Sequence, residues 1–164
     1  MSRLLILGAG QYGRLVRELA VLCGYTEVAF LDDAAAAAIG KLSELDSFVS
    51  DYPEAIVAIG NPARREEQIQ RLEALDFTIP VLLHPRAWVS SSAQVAPGCV
   101  IEANAVVNAG ALIGRACLVC AGAVVNHNAQ VGDICQIDCN AVVPPNAVVP
   151  SKTKVPAGTV YDHL

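Results

Sequence analysis

The chain has 164 residues, enough for one large domain or two small ones. With 54% hydrophobic, 16% charged and 5% aromatic residues, it argues against disorder and coiled coil and calls for a core of Val, Ile, Ala and Cys rather than aromatic rings. The formal charge of −5 sits entirely in residues 1–83, with seven Lys/Arg against twelve Asp/Glu, while residues 84–164 hold four of each, so no basic face exists for nucleic acid or anionic lipid.

The start, MSRLLILGAG, has an arginine and a short apolar run that glycine breaks early. It reads as a strand of a cytoplasmic protein rather than a signal peptide. No apolar run approaches the ~20 residues needed to cross a bilayer, so no membrane segment is expected. RLLILG (3–8) is the first predicted strand. GAGQYG follows, with Gly8, Gly10 and Gly13 in G-x-G-x-x-G spacing. RLVRELAVLCG then has helical periodicity, with Gly24 as a stop. The second strand, EVAFLDD, ends in Asp32 and Asp33. This order suits a phosphate-binding turn: glycines let the backbone approach, the helix N-terminus offers N–H groups to an anion, and an acid reaches ribose hydroxyls. The alternative is a tight turn that only packs helix on strand.

Residues 34–38, AAAAA, allow a loop or a short helical stretch. EAIVAIGN (54–61) is a strand apolar on both faces. Asn61 then caps a helix with Pro62 at its first position, ARREEQIQRLEAL. Arg64 and Arg65 in its first turn are candidate phosphate contacts or else a solvated face. This half is too short for two mononucleotide-binding units. A nucleotide-linked ligand is therefore expected rather than NAD.

From Leu83 an aliphatic residue recurs every six positions, through Val89, Val95 and Ile101 to Val155. A small residue sits four positions after each, from Ala87 to Thr159. Thirteen hexapeptides fit without insertion or deletion. The spacing predicts a parallel β-helix with three short strands, or 18 residues, per turn. At about 4.8 Å per turn the prism is roughly 20 Å tall. The outward positions include Val100, Val106, Leu112, Leu118, Val124, Val142 and Val148, an apolar surface that predicts self-association as a trimer with partial cover from the first domain.

The same period stacks Cys99, Cys117 and Cys135 on one inner face as small apolar fillers. The only C-x-x-C, Cys117–Cys120, has no second pair at zinc spacing, so no metal is expected. His127, in VVNHNAQVG, falls at a corner and points out of the core. Beside a groove it could accept a proton near neutrality; otherwise it is an ordinary turn residue.

Taken in order, LLILGAGQYGR, the FLDD strand end, VAIGNPARR, LLHPRAWVSSSA and VVNHNAQVGD resemble the NeuD/PglD family of bacterial sugar O-/N-acyltransferases. The resemblance implies an α/β Rossmann-like half domain over 1–82 and a left-handed parallel β-helix of hexapeptide repeats over 83–164. It implies a homotrimer, acetyl-CoA as acyl donor in the groove between neighbouring helices, and a nucleotide sugar, a UDP-sugar first, in the glycine-turn domain. His127 would be the general base as a sugar amine or hydroxyl attacks the thioester. Gly8, Gly10, Gly13, Asp32, Asp33, Gly60, Asn61 and Arg64 would hold the nucleotide sugar. Cys120 and Gln136 stand where relatives often carry polar groups toward the coenzyme.

Asn128 stands where the family usually has Asp or Glu after the histidine. An amide can orient an imidazole but cannot balance its charge, which leaves Asp133 and Asp138 as other acids for that task. The proline-rich close, VVPPNAVVPSKTKVPAGTVYDHL, also comes earlier than is common in the family. The expected function is an acetyl-CoA-dependent sugar acetyltransferase. The alternative is a trimeric nucleotide-sugar-binding partner protein with weakened or lost transfer. His163 is expected to be a tail residue.

Overall fold

The computed structural model describes residues 2–162, which leaves His163 outside the described residues. Two compact units divide between Pro80 and Val81. The division falls two residues before the expected break because Leu82 is already hydrogen-bonded into the second unit, its N–H donating to the Cys99 carbonyl at 3.0 Å. Among the described residues no helix is long and apolar enough to cross a membrane.

The first unit is a three-stranded parallel sheet flanked by two helices. Strands β1 (Arg3–Leu7), β2 (Glu27–Leu31) and β3 (Glu54–Val57) lie in the order β2-β1-β3. All of β1 beyond Arg3 is buried, as expected of a central strand covered on both faces. Helix α1 (Gln11–Leu22) buries Gly13, Val16, Leu19 and Ala20, an i, i+3, i+4 stripe. Helix α2 (Pro62–Ala74) starts as its sequence requires: Asn61 accepts the Arg64 N–H at 3.0 Å and Pro62 occupies the first turn. Its buried stripe is Arg65, Gln68, Ile69 and Leu72. Residues 34–38 are a loop, and a 3-10 segment at Leu42–Phe48 follows.

The second unit is a left-handed parallel β-helix. Its two-residue strands run from Leu82–Leu83 to Lys154–Val155 and stack at 18-residue intervals, for example Val100 on Leu118 on Gln136. Three sheets result, which we call faces A, B and C. They contain Val100–Ile101, Val106–Val107 and Leu112–Ile113 respectively. Inner aliphatics from Ile101 to Val155 are at most 3% exposed, each worth about 1.5–3 kcal/mol on burial. At the first coil the beat meets the open end of the prism, and Leu83 is 41% exposed.

The thiol column forms as the period predicts. Cys99, Cys117 and Cys135 are fully buried and free of disulfides. They also do something a filler does not. Each S–H donates to a corner carbonyl fifteen residues on: Gly114 at 3.0 Å, Gly132 at 3.0 Å and Pro150 at 3.1 Å. The outward aliphatics differ among themselves. Val100 and Leu118 on face A are buried within the chain, Val106, Val124 and Val142 on face B are half-buried, and Leu112 and Val148 on face C are exposed.

Candidate functional site

Two groups of residues carry chemistry, one in each unit. In the first unit the loops after β1, β2 and β3 meet at the carboxyl ends of the strands, where the sheet order places β1 between its two partners. Open parallel sheets bind ligands at this switch point. A cavity of about 280 Å³ lies there, lined by Gly8, Gly10, Asp32, Asp33, Ala34, Leu42, Ala58, Ile59 and Arg64. Gly8 has φ +106, a region that side chains avoid, and a Cβ there would come within 2.9 Å of the Ala58 carbonyl oxygen. A Cβ on Gly13 would collide with the Gly8 carbonyl oxygen, so this glycine seats α1 against the turn. Gly10 has open space in front of it. Gly13, Gly60 and Asn61 do not line the cavity; Asn61 is engaged as the cap of α2.

Asp32 does not stand free for a ribose as its position in the sequence suggests. One carboxylate oxygen accepts the Ala9 N–H at 2.8 Å, and the other accepts Ala34 and Ala35 N–H groups at 2.9 Å. It ties the glycine turn to the loop after β2. The Ala9 and Ala34 hydrogen bonds hold its carboxyl below the ordinary range, against the opposing effect of burial. Asp33 is likewise occupied, accepting the Leu42 N–H at 3.1 Å. These contacts add a structural task to the one the sequence suggests. The two acids shape the cradle, and their ligand contacts would be additional to this work.

The arginines separate. Arg64 is exposed and lines the cavity. Arg65 is 1% exposed, and its guanidinium donates to the Ile59 carbonyl at 3.0 Å and the Gly60 carbonyl at 2.9 Å. It is therefore not a phosphate contact but a buried support for the loop that closes the cavity. The sequence carried a signal for this: Arg65 lies four residues before Ile69 and seven before Leu72, on the buried stripe of α2.

In the second unit His127 and Asn128 form the turn between faces B and C, and both are exposed. The His127 carbonyl accepts the Asn146 N–H at 3.1 Å, and Asn128 donates its own N–H to Ala109 at 3.0 Å. Asn128 adopts φ 57, a conformation that asparagine tolerates better than most residues. Its amide reaches Asn146 Oδ1 at 3.4 Å, one coil up, and does not orient the imidazole. The residues one coil below and above His127 are Ala109 and Pro145, so its own column has no charged neighbour.

Cys120 and Gln136 are not brought to His127 within the chain. Cys120 lies at the other end of the strand Val124–Val125, on the corner between faces A and B. It is one rung of a polar column with Glu102 below and Asp138 above. Glu102 is 7% exposed and accepts the Ala121 N–H at 3.0 Å. Burial and the flanking Glu102 and Asp138 carboxylates push the Cys120 thiol upward, away from the thiolate form. Asp138 pairs with Lys154 at 3.2 Å and accepts the Cys139 N–H at 3.1 Å. Burial pushes its carboxyl up, but these bonds and one from Gln136 bring the balance below the ordinary range. Asp133 sits on the third corner, bonded to Arg115 at 3.3 Å. Among the described residues no group of three His, Cys, Asp or Glu could hold a metal ion.

Comparison with known proteins adds four findings. A family model described as the PglD N-terminal domain matches residues 3–72. The acetyltransferase domain of PglB from Neisseria gonorrhoeae, in complex with acetyl coenzyme A, is 31% identical with a TM-score of 0.86, over 95% of this chain and 88% of that one. A second structure of that domain is 30% identical, with a TM-score of 0.88 over 99% and 92% of the two chains. PerB from Caulobacter crescentus, in complex with CoA and GDP-perosamine, is 24% identical over 99% and 89%, with a TM-score of 0.84, and shares the fold.

Proposed function

The chain belongs to the PglD/NeuD-like family of sugar acetyltransferases, and from that premise we propose that it moves an acetyl group from acetyl-CoA to an amine or hydroxyl of a nucleotide-linked sugar, in the cytoplasm and as a homotrimer. The nucleotide end, a UDP-sugar first, occupies the cradle of the first unit. The first-turn N–H groups of α1 and the Arg64 guanidinium face its phosphates, and Gly10 leaves room for close approach. Asp32, Asp33 and Arg65 hold the three loops in place. Their polar atoms are set before ligand arrives, so little ordering cost falls on binding.

The acetyl step belongs to His127. Its imidazole takes the proton from the attacking amine or hydroxyl, and the acceptor atom bonds to the thioester carbonyl carbon. Collapse of that adduct expels the coenzyme thiolate, which recovers a proton. A base positioned in this way contributes roughly 10²–10⁴ in rate. Cys120 and Gln136 are the expected polar contacts to the coenzyme.

The observation that carries this reading is the pairing, in one chain, of a built switch-point cavity with an imidazole left exposed at a β-helix corner. The test is His127→Ala. It should lower kcat by about 10²–10⁴, with UDP-sugar and acetyl-CoA affinities by calorimetry unchanged. Unchanged turnover would remove the base assignment.

A further inference from the structure

Among the described residues His127 makes no hydrogen bond or ion pair with an acid of its own chain, yet the β-helix carries an acidic corner with no assigned task. The two lie at opposite ends of one strand. Cys120 and His127 both belong to the coil containing Val124–Val125, one at each corner bounding face B. Face B is also the face most suited to cover by another molecule. Its outward column reads Trp88, Val106, Val124, Val142 and Val160, apolar on every rung, and its two end residues are 64% and 62% exposed. Face C alternates Gln94, Leu112, Gln130 and Val148. Face A is already buried at Leu82, Val100 and Leu118.

Set face B toward a rotation axis parallel to the β-helix. The two corners bounding that face then point at neighbouring copies, and the His127 corner of one copy meets the acidic corner of the next. Rotation about such an axis keeps every rung at its own height. His127 follows Cys120 by seven residues of an 18-residue coil and precedes Asp138 by eleven. With about 4.8 Å of rise per coil, the neighbour's Cys120 lies about 2 Å to one side of the His127 level and the neighbour's Asp138 about 3 Å to the other. Glu102 is about 7 Å away by the same count and is buried against Ala121. The Asp138 side chain is 21% exposed, so it remains reachable.

Resting on the acetyltransferase reading and the homotrimer proposed with it, we infer that Asp138 of the partner subunit is the carboxylate that orients and balances His127. The occupant of face B is thus a second copy, argued from complementarity: a corner with an imidazole and no acid meets a corner with two acids. Asp138 is a positioning residue, acting through His127 while Lys154 and the Cys139 N–H hold it. The acid that does not follow the histidine in sequence is supplied across the interface.

Two measurements test this on the full chain. The first does not depend on activity. On a Cys23→Ser/Cys139→Ser background, the double variant His127→Cys/Asp138→Cys, treated with a short bis-maleimide, should give linked pairs and triples of chains, and neither single variant should do so. Absence of such bands overturns the inference. The second mixes His127→Ala and Asp138→Asn chains, dissociated and reassembled together. Asp138→Asn alone should lower kcat about tenfold or more with KM for the nucleotide sugar unchanged, and Asp138→Glu should recover part of it. In random mixed rings about a quarter of the sites pair an intact His127 with an intact Asp138. Activity should therefore rise severalfold over the unmixed chains. An active, assembled wild type whose variants gain nothing on mixing overturns the inference and leaves the function reading intact. A double variant that cross-links as expected, beside an assembled wild type that transfers no acetyl group, sinks the function reading and leaves the corner pairing standing.

Discussion

Replacing Asp32 with asparagine separates the two tasks that its carboxylate could perform. The wild-type group takes Ala9 N–H on one oxygen and Ala34 and Ala35 N–H on the other, at 2.8–2.9 Å. Asparagine keeps one acceptor oxygen, so whichever way its amide turns, at least one backbone N–H faces an NH₂ group. A hydrogen bond to a charged partner is worth about 1.5–3 kcal/mol. For a half-exposed loop we take a loss of about 2 kcal/mol, roughly 30-fold in the folding equilibrium. The probes separate the units: both helices lie in the first, so helical ellipticity follows the affected one during urea unfolding. Trp88, the one tryptophan, lies in the second, and its fluorescence transition should not move. The pH dependence has a definite sign. The folded carboxyl is held below its unfolded value of about 3.9, so its stabilisation is complete above that pH. It is lost as pH falls through the folded value. Asparagine does not titrate, so the gap between the two proteins should close in acid. An Asp32→Asn chain that unfolds like wild type at neutral pH but no longer binds UDP-sugar would show that the carboxylate serves the ligand and not the loops.

Gly13→Ala places a methyl group against the Gly8 carbonyl oxygen. It should cost about 1–3 kcal/mol in the helical transition and weaken nucleotide-sugar binding, since α1 must lift away from the turn. Thiol titration of the native protein should find Cys23 and Cys139 reacting quickly. Cys99, Cys117, Cys120 and Cys135 should react only after unfolding. Quick modification of a third or fourth thiol would contradict the burial of the column.

The β-helix was legible because its constraint is repeated. Each inner position touches the same position of the coils above and below, so only small and aliphatic residues fit, and the beat of six survives in every coil. The cradle was legible in location, since Gly8, Gly10 and Asp32 do converge on one cavity. Their division of labour was not. The partners of Asp32 are backbone N–H groups of Ala9, Ala34 and Ala35, and backbone groups leave no mark in a sequence. Arg64 and Arg65 look alike in the chain, but one helical step of about 100° puts one at the cavity and the other in the core. The acidic corner was half legible. Folding the sequence at 18 residues stacks Glu102, Cys120 and Asp138, but a single chain cannot show which corner of another copy that stack would face.

The 18-residue coil also sets the quantum in which this protein can change length. Each coil rests only on the one below and supports only the one above, so a whole coil could be duplicated or removed and every later side chain would keep its direction. An insertion of six residues would preserve the alternation of inner and outer positions yet turn everything downstream by one face. Placed between Cys120 and His127, it would carry the imidazole to the next edge of the prism, away from face B, while leaving the core chemically unchanged. Length variants of this protein therefore divide by arithmetic: multiples of eighteen conserve the geometry of the corners, multiples of six conserve only the fold, and other lengths conserve neither.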